Sequence, residues 1–176
     1  MREYDFTEAT PFIEFLDKHR DKILGSCLKN LYVYFWPQRK GCVSFCYPAI
    51  LELDDQFVIL RYFLTSDIQI GIGSREEVSQ ERWAASILDM KEYSVDYYEQ
   101  KFDLGIKKEE IENCKIIGVT VDRFSDAFEC NPCTGEMRPE GGDYFSTIRL
   151  FLDSGTTLCF CGEDSISDGY MDMWCE

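Results

Sequence analysis

The sequence predicts an α+β fold: a mostly antiparallel sheet that ends in a C-terminal β-meander, with two main helices packed on one face or end. Three observations lead to this class. Short aromatic and β-branched runs bounded by Pro or Gly occur along most of the chain. Helical spacing of apolar residues is confined to two longer stretches, and the last third contains three apolar runs joined by short turns. The 176 residues, 45% of them hydrophobic, fit one globular domain spanning residues 1–176.

The first helix is predicted over residues 11–24. Thr10 resembles an N-cap, and Pro11 suits the first helical position, where the missing N–H costs nothing. Gly25 is a natural stop. One face of this helix collects the residues that recur every three or four positions: Phe12, Leu16, His19 and Ile23.

Four strands are predicted in the first half of the chain, at residues 31–36, 42–47, 57–64 and 67–72. The second helix is predicted to begin after Ser74, because Ser74 and Glu77 have the spacing of a capping box, and to continue to residue 89. Residues 90–104 fit either strand or helix, and residues 107–112 favour a short helical turn.

The C-terminal half is predicted to be a meander. A strand over residues 114–121 precedes a loop rich in Gly, Pro and acids at 131–143, and three strands follow, at 144–152, 156–162 and 168–174. Asp153, Ser154 and Gly155 form the predicted hairpin turn between the first two of these three strands, since Asp favours turns and Gly tolerates a positive φ.

The charge is strongly negative and uneven. The formal net charge is −15, which argues against nucleic acid and anionic membrane surfaces as partners, because both require cations on the protein. Residues 1–88 hold 10 basic and 13 acidic residues, whereas residues 89–176 hold 8 and 20. From Asp122 onward, the sequence contains 12 acidic residues and only three basic ones, all arginines. Such a field attracts a basic partner, although acidity alone also serves solubility.

A cytoplasmic location is predicted. The first eight residues are acidic and lack the apolar run of an export signal, and the longest uncharged stretch, residues 41–51, is too short to cross a bilayer. The nine cysteines are odd in number, which favours reduced thiols over a complete disulfide framework.

No cofactor is predicted, but four cysteines form one candidate zinc site. Cys130 and Cys133 have the C-x-x-C spacing that places two thiolates around one ion, and Cys159 and Cys161 would share one side of a strand. The competing interpretation is that Cys159 and Cys161 are core residues and the other pair lies in a loop.

Other motifs fail on specific residues. The glycine-rich segment 70–74 is followed by Glu76 and Glu77, which would repel a phosphate. The acidic segment that starts at Asp164 has Cys175 where a calcium loop needs Glu. His19 is the only histidine, so a multi-histidine metal site is excluded. No catalytic residue is therefore assigned, and the sequence favours a protein that is not an enzyme.

The preferred hypothesis is a non-enzymatic acidic binding protein, such as an immunity or antitoxin-type inhibitor of a basic protein partner. The predicted partner-binding acids are Asp143, Glu163, Asp164, Asp168 and Asp172, and the predicted aromatic anchors are Tyr170 and Trp174. Two alternatives stay open: a zinc-stabilised domain and a carboxylate-dependent hydrolase. A homodimer is a further expectation if the aromatic stripe of Tyr32, Tyr34 and Trp36 is exposed.

Overall fold

The computed structural model describes residues 2–32, 36–39, 42–45, 49–62, 68–80, 108–130, 134, 137–162 and 171–176. The strands in this part of the chain are β1 (Arg2–Phe6), β2 (Cys27–Leu28), β3 (Asn30–Tyr32), β4 (Trp36–Arg39), β5 (Cys42–Phe45), β6 (Ala49–Glu52), β7 (Phe57–Tyr62), β8 (Ile68–Gly73), β9 (Cys114–Cys130), β10 (Met137–Leu152), β11 (Thr157–Gly162) and β12 (Met171–Cys175). The helices are α1 (Ala9–Lys18), α2 (Arg20–Ile23), α3 (Arg75–Gln80) and α4 (Lys108–Ile111).

The strands form two antiparallel sheets, which confirms the α+β class. The five-stranded sheet has the order β1-β8-β7-β6-β3, and the seven-stranded sheet has the order β2-β9-β10-β11-β12-β5-β4. Strands β9 to β12 are neighbours in chain order, so the predicted C-terminal meander is confirmed. One of the crossings between the sheets is at Lys29, whose backbone N–H donates to Glu52 O at 2.7 Å.

One apolar core joins both sheets and α1. Alternate residues of the strands supply it, because successive side chains point to opposite faces of a sheet. Leu51, Val58 and Ile70 come from the five-stranded sheet, and Leu150 and Phe160 from the seven-stranded one. The hydrophobic effect at this shared core therefore holds the two sheets together.

Helix α1 closes the core, and its start corrects the sequence prediction. The helix begins at Ala9, so Thr10 is a helical residue rather than the N-cap. Glu8 takes the extended N-cap conformation, with φ −128° and ψ 147°, and makes no side-chain cap hydrogen bond. Pro11 still lies in the first turn, where the backbone N–H groups have no intrahelical acceptor. Phe12 is fully buried, with its ring centroid 5.4 Å from that of Phe6.

The predicted first helix is also interrupted. It breaks at His19, whose φ of −105° and ψ of 12° separate α1 from α2. The His19 ring stacks on Phe15 with centroids 4.3 Å apart, and its Nδ1 lies 3.1 Å from Phe15 O. Gly25 adopts a φ of +83° and so ends the segment, as predicted.

The strand boundaries differ from the predictions at several places. The predicted loop at 131–143 is wrong from residue 137 onward, because β10 begins at Met137, which pairs with Cys130 at the far end of β9. In this long hairpin Pro139 pairs in register with Phe128, and a register shift follows Gly141. The prolines and glycines of residues 131–143 predicted a loop, but pairing with β9 extends β10 into this segment. Strands β1, β2 and β6 were not predicted, since they are short or carry charges.

Three local predictions are confirmed. In the capping box, Ser74 N–H donates to Glu77 Oε2 at 2.9 Å, and Glu77 N–H donates to Ser74 Oγ at 3.3 Å. The hairpin turn has Gly155 at a φ of +90°. Helix α4 lies within the predicted turn at 107–112. The predictions for residues 81–107 lie outside the described residues. Among the helices that the structure describes, none is both long and apolar enough to span a bilayer.

Candidate functional site

The face of the seven-stranded sheet that points away from the core is the candidate site, and we call it the outer face. It is defined by the described side chains that alternate with core residues on β9, β10 and β11, together with the residue that follows β12: Lys115, Thr120, Asp122, Thr147, Arg149, Phe151, Thr157, Cys159 and Glu176. Because the acidic half of the sequence builds β9 to β12, this face belongs to the most negative part of the chain.

Arg149 is the central cation of the outer face. Its Nη1 donates to Asp122 Oδ2, and its Nε lies 3.8 Å from Glu176 Oε2. The hydrogen bond to Asp122 raises the pKa of Arg149. Its side chain is 24% exposed, whereas those of Asp122 and Glu176 are 43% and 52% exposed. One guanidinium thus serves two carboxylates that are more exposed than it is.

Cys159 lies beneath these charges and is fully buried. It pairs with Arg149 on β10 and with Trp174 on β12. Burial raises the pKa of the Cys159 thiol to about 11, and the nearby Glu176 carboxylate adds to this shift. The thiolate that a nucleophile or a zinc ligand requires is therefore disfavoured at neutral pH in this structure.

An apolar side chain is exposed on β9, five residues before Asp122. Ile117 is 61% exposed, although it follows the fully buried Ile116. It is the extra residue at a register shift, since Ile116 pairs with Leu152 and Gly118 pairs with Phe151. The half-buried Phe151 ring lies close to Gly118, and a Cβ added there would be 3.1 Å from Phe151 Cδ2. The bulge thus presents an aliphatic side chain to solvent next to a charged face.

The opposite side of the molecule is built differently. On the five-stranded sheet, the face that points away from the core carries Tyr32, Ile50, Phe57 and Ile59, and we call it the far face. All four residues are buried, at 8% exposure or less. Helix α3 follows β8 directly and places the Arg75 guanidinium 5.4 Å from the centre of the Phe57 ring. The centre of this face is therefore apolar.

A polar network around Glu52 borders the far face. Tyr32 Oη donates to Glu52 Oε2 at 2.7 Å, and Arg75 Nη2 donates to Glu52 Oε1 at 3.0 Å. Burial, followed by the hydrogen bond to Glu52, raises the pKa of Tyr32 to about 12. Both Glu52 oxygens have a donor, so the network satisfies itself and resembles a structural clamp rather than a ligand site.

The carboxylates with shifted pKa values do not resemble general acids. The Cys27 N–H, and then Lys29, hold the pKa of Asp54 below its usual range, and the Ser74 N–H does the same for Glu77. A carboxyl that donates a proton near neutral pH requires the opposite shift. These two groups therefore give no support to a carboxylate-dependent hydrolase.

The structure places three of the predicted partner-binding residues on strands. Asp172 pairs with Cys161 and Ser44, and Trp174 pairs with Cys159, so both positions adjoin the outer face. Asp143 lies on β10 at a register shift, four residues before Thr147. Thr147 pairs with Cys161, and Cys161 pairs with Asp172 on the next strand. Four predicted residues lie in the connection between β11 and β12, outside the described residues: Glu163, Asp164, Asp168 and Tyr170.

The register does not bring the two cysteine pairs together. Cys130 pairs with Met137, whereas Cys161 pairs with Thr147, ten residues further along β10. At the rise of a strand this is a separation of about 30 Å, while a zinc–sulfur bond is about 2.3 Å. Cys133 lies outside the described residues. In the part of the chain that is described, no three His, Cys, Asp or Glu residues are grouped as a metal site.

Two features of the site were missed in the sequence. The Arg149 network joins residues far apart in the chain, and no spacing in the sequence indicates it. The bulge at Ile117 had a partial signal, because the pair Ile116 and Ile117 breaks the alternation expected of a half-buried strand. Comparison with protein-family models, with curated proteins and with solved structures finds no match to this chain.

Proposed function

We propose that this protein is a non-enzymatic binding protein that holds a basic protein partner against the outer face of its seven-stranded sheet, in the manner of an immunity or antitoxin-type inhibitor. The observation that carries the proposal is the outer face itself. There the acidic half of the chain presents two exposed carboxylates around one guanidinium, beside the exposed Ile117.

Electrostatics supports this choice of partner. Complementary charge steers a partner during encounter and disfavours partners of the same sign. Asp172 adjoins the outer face, because it pairs with Cys161. A basic protein that approaches this face meets the carboxylates of Asp122 on β9 and of Glu176 after β12.

Packing supports a protein partner rather than a small cation. Binding energy at protein interfaces comes mostly from apolar or aromatic anchors surrounded by polar groups. Ile117 and the half-buried Phe151 supply an apolar centre, and Asp122 and Glu176 supply polar groups next to it. Trp174 pairs with Cys159 on the neighbouring strand, so an aromatic residue occupies a position beside this face.

The test compares two charge variants of equal net charge. The site variant carries Asp164→Lys, Asp168→Lys and Asp172→Lys, and the control carries Glu14→Lys, Asp21→Lys and Asp55→Lys at exposed positions in the N-terminal half. Each acid-to-Lys change adds two charges, so both variants shift the net charge from −15 to −9. Each protein is used to capture partners from cells of the source organism at low and moderate salt.

We expect the wild type and the control to retain a basic protein that the site variant loses. Calorimetry with that purified partner should show at least about a tenfold weaker affinity for the site variant only. If both variants lose affinity for the partner equally, net charge alone controls binding and the outer face is not the binding site. Retention by all three proteins, or capture of no basic protein at all, would contradict the proposal.

A further inference from the structure

A groove at the corner between α1 and α2 is separate from both sheet faces described above. Its volume is about 100 Å³. It is lined by the last turn of α1, by α2 and by one residue of β9: Leu16, Asp17, Arg20, Ile23, Leu24 and Val119. The groove lies where the non-helical φ and ψ of His19 separate α1 from α2, and the His19 ring is stacked on Phe15.

The floor of the groove is apolar and has free space behind it. Leu16, Ile23 and Val119 also line a void of about 20 Å³ inside the core, and every residue around that void is apolar. A void of this kind has no polar partners for water, and the side chains that surround it lose packing contacts. The floor can therefore yield inward when an apolar group enters the groove.

The rim of the groove carries one charge of each sign. Asp17 and Arg20 are both exposed and lie three residues apart, yet neither forms an ion pair or side-chain hydrogen bond in the described part of the chain. A simple carboxylate would be attracted by Arg20 but repelled by Asp17, and a simple ammonium would meet the reverse. A zwitterion satisfies both residues at once.

We propose that this groove binds a free α-amino acid with a branched apolar side chain, such as leucine. The ligand carboxylate pairs with the Arg20 guanidinium, its ammonium group pairs with Asp17, and its side chain rests on Leu16, Ile23 and Val119. The groove, at about 100 Å³, is smaller than the apolar cavity of roughly 150 Å³ that holds benzene, so it takes one branched side chain while the charged groups of the ligand stay at the rim. This binding site is independent of the proposed partner surface. With a solvent-exposed rim, the expected dissociation constant is about 1 mM.

The experiment is a titration of the full isotope-labelled chain followed by two-dimensional amide NMR. Four probes are added separately: L-leucine, isocaproate, which lacks the ammonium, isoamylamine, which lacks the carboxylate, and glycine, which lacks the side chain. We expect L-leucine to cause saturable shifts at Arg20, Ile23 and Val119, and each of the other probes to bind at least about tenfold more weakly.

Variants locate the site. Arg20→Gln and Asp17→Asn should each weaken leucine binding by about tenfold, whereas the control Asp21→Asn, exposed on α2 outside the groove, should leave it unchanged. Unshifted peaks elsewhere in the spectra show that each variant is folded. The proposal is overturned if leucine causes no saturable shift up to about 10 mM, if isocaproate or isoamylamine binds as well as leucine, or if neither rim variant weakens binding.

Discussion

The far face of the five-stranded sheet and the outer face of the seven-stranded sheet share one core but differ in what they present. On the far face, Ile50 and Ile59 are at most 1% exposed and Phe57 lies beneath Arg75. On the outer face, two half-exposed carboxylates flank Arg149, and Ile117 is exposed on β9. Buried apolar side chains stabilise the fold, whereas exposed charges contribute little stability. The far face therefore stabilises the fold, and the proposed function places partner recognition on the outer face.

The largest expected effect compares two isoleucines. Ile50→Ala on the far face should lower the free energy of unfolding by about 2–5 kcal/mol, because it removes fully buried methyl groups and leaves a cavity. Ile117→Ala on the outer face should change it by less than about 0.5 kcal/mol, because Ile117 is 61% exposed. Urea unfolding curves measure both. Similar losses of unfolding free energy in the two variants would contradict the difference between the two faces.

The next largest expected effect is a difference in alkylation rate between buried and half-buried cysteines. We expect Cys159 to be alkylated at least about tenfold more slowly than Cys27 and Cys114, because it is fully buried and burial raises its pKa to about 11, whereas the other two are half-buried. Peptide mapping by mass spectrometry after timed exposure to iodoacetamide provides the rates. In denaturant the three rates should converge, and a fast reaction of Cys159 in the folded protein would show that the outer face opens readily.

Tyr32 gives a smaller effect with a defined pH dependence. Its pKa is raised from 10.0 to about 12, so the unfolded chain loses this proton at a lower pH than the folded one. The stabilisation is complete below pH 10 and is lost as pH rises towards 12. Tyr32→Phe removes the hydrogen bond to Glu52 and should cost about 1 kcal/mol near neutral pH.

The stability difference between the wild type and Tyr32→Phe should therefore shrink across that alkaline range. Unfolding curves of both proteins at a series of pH values measure it, and the subtraction cancels the other titrating groups. A difference that stays constant with pH would mean that the Tyr32 hydroxyl is not held by Glu52 in solution.

The smallest expected effect is at Arg149. Arg149→Gln should change the free energy of unfolding by less than about 1 kcal/mol, because both of its carboxylate partners are about half exposed. The same variant makes the outer face more negative, so it should bind a basic partner more strongly under the proposed function. Unfolding curves at low and high salt check the first statement. A loss above about 2 kcal/mol would indicate a buried structural ion pair instead.

Local patterns in the sequence were reliable where neighbours in the chain satisfy each other. The capping box of Ser74 and Glu77 and the turn at Gly155 each depend on hydrogen bonds or φ angles within four residues, and both are confirmed. Helix α1 was found, but its start was placed two residues late, because Thr10 is the better N-cap residue and Glu8 nevertheless takes that position. Local propensity is a weak preference that tertiary packing overrides.

The candidate site was less predictable than the fold. Its acidic character follows from composition, and Asp172 and Trp174 were named in advance and lie on β12 beside the outer face. The partner of Arg149 could not be predicted, because Asp122 lies 27 positions away and on a different strand. The groove at Asp17 and Arg20 was not predicted either, since it exists only where the bend at His19 meets Val119 of β9.

The sequence by itself determined the α+β class, the C-terminal meander, the capped and glycine-terminated ends, and the strong negative charge of the second half. Periodicity, turn chemistry and composition act over a few residues, so they can be seen in the chain. Tertiary structure alone decided that the strands divide into two sheets, that β9 and β10 extend through Pro139, and which sheet face stays apolar. These outcomes depend on register between distant residues, and register is fixed by burying a shared core rather than by any single segment.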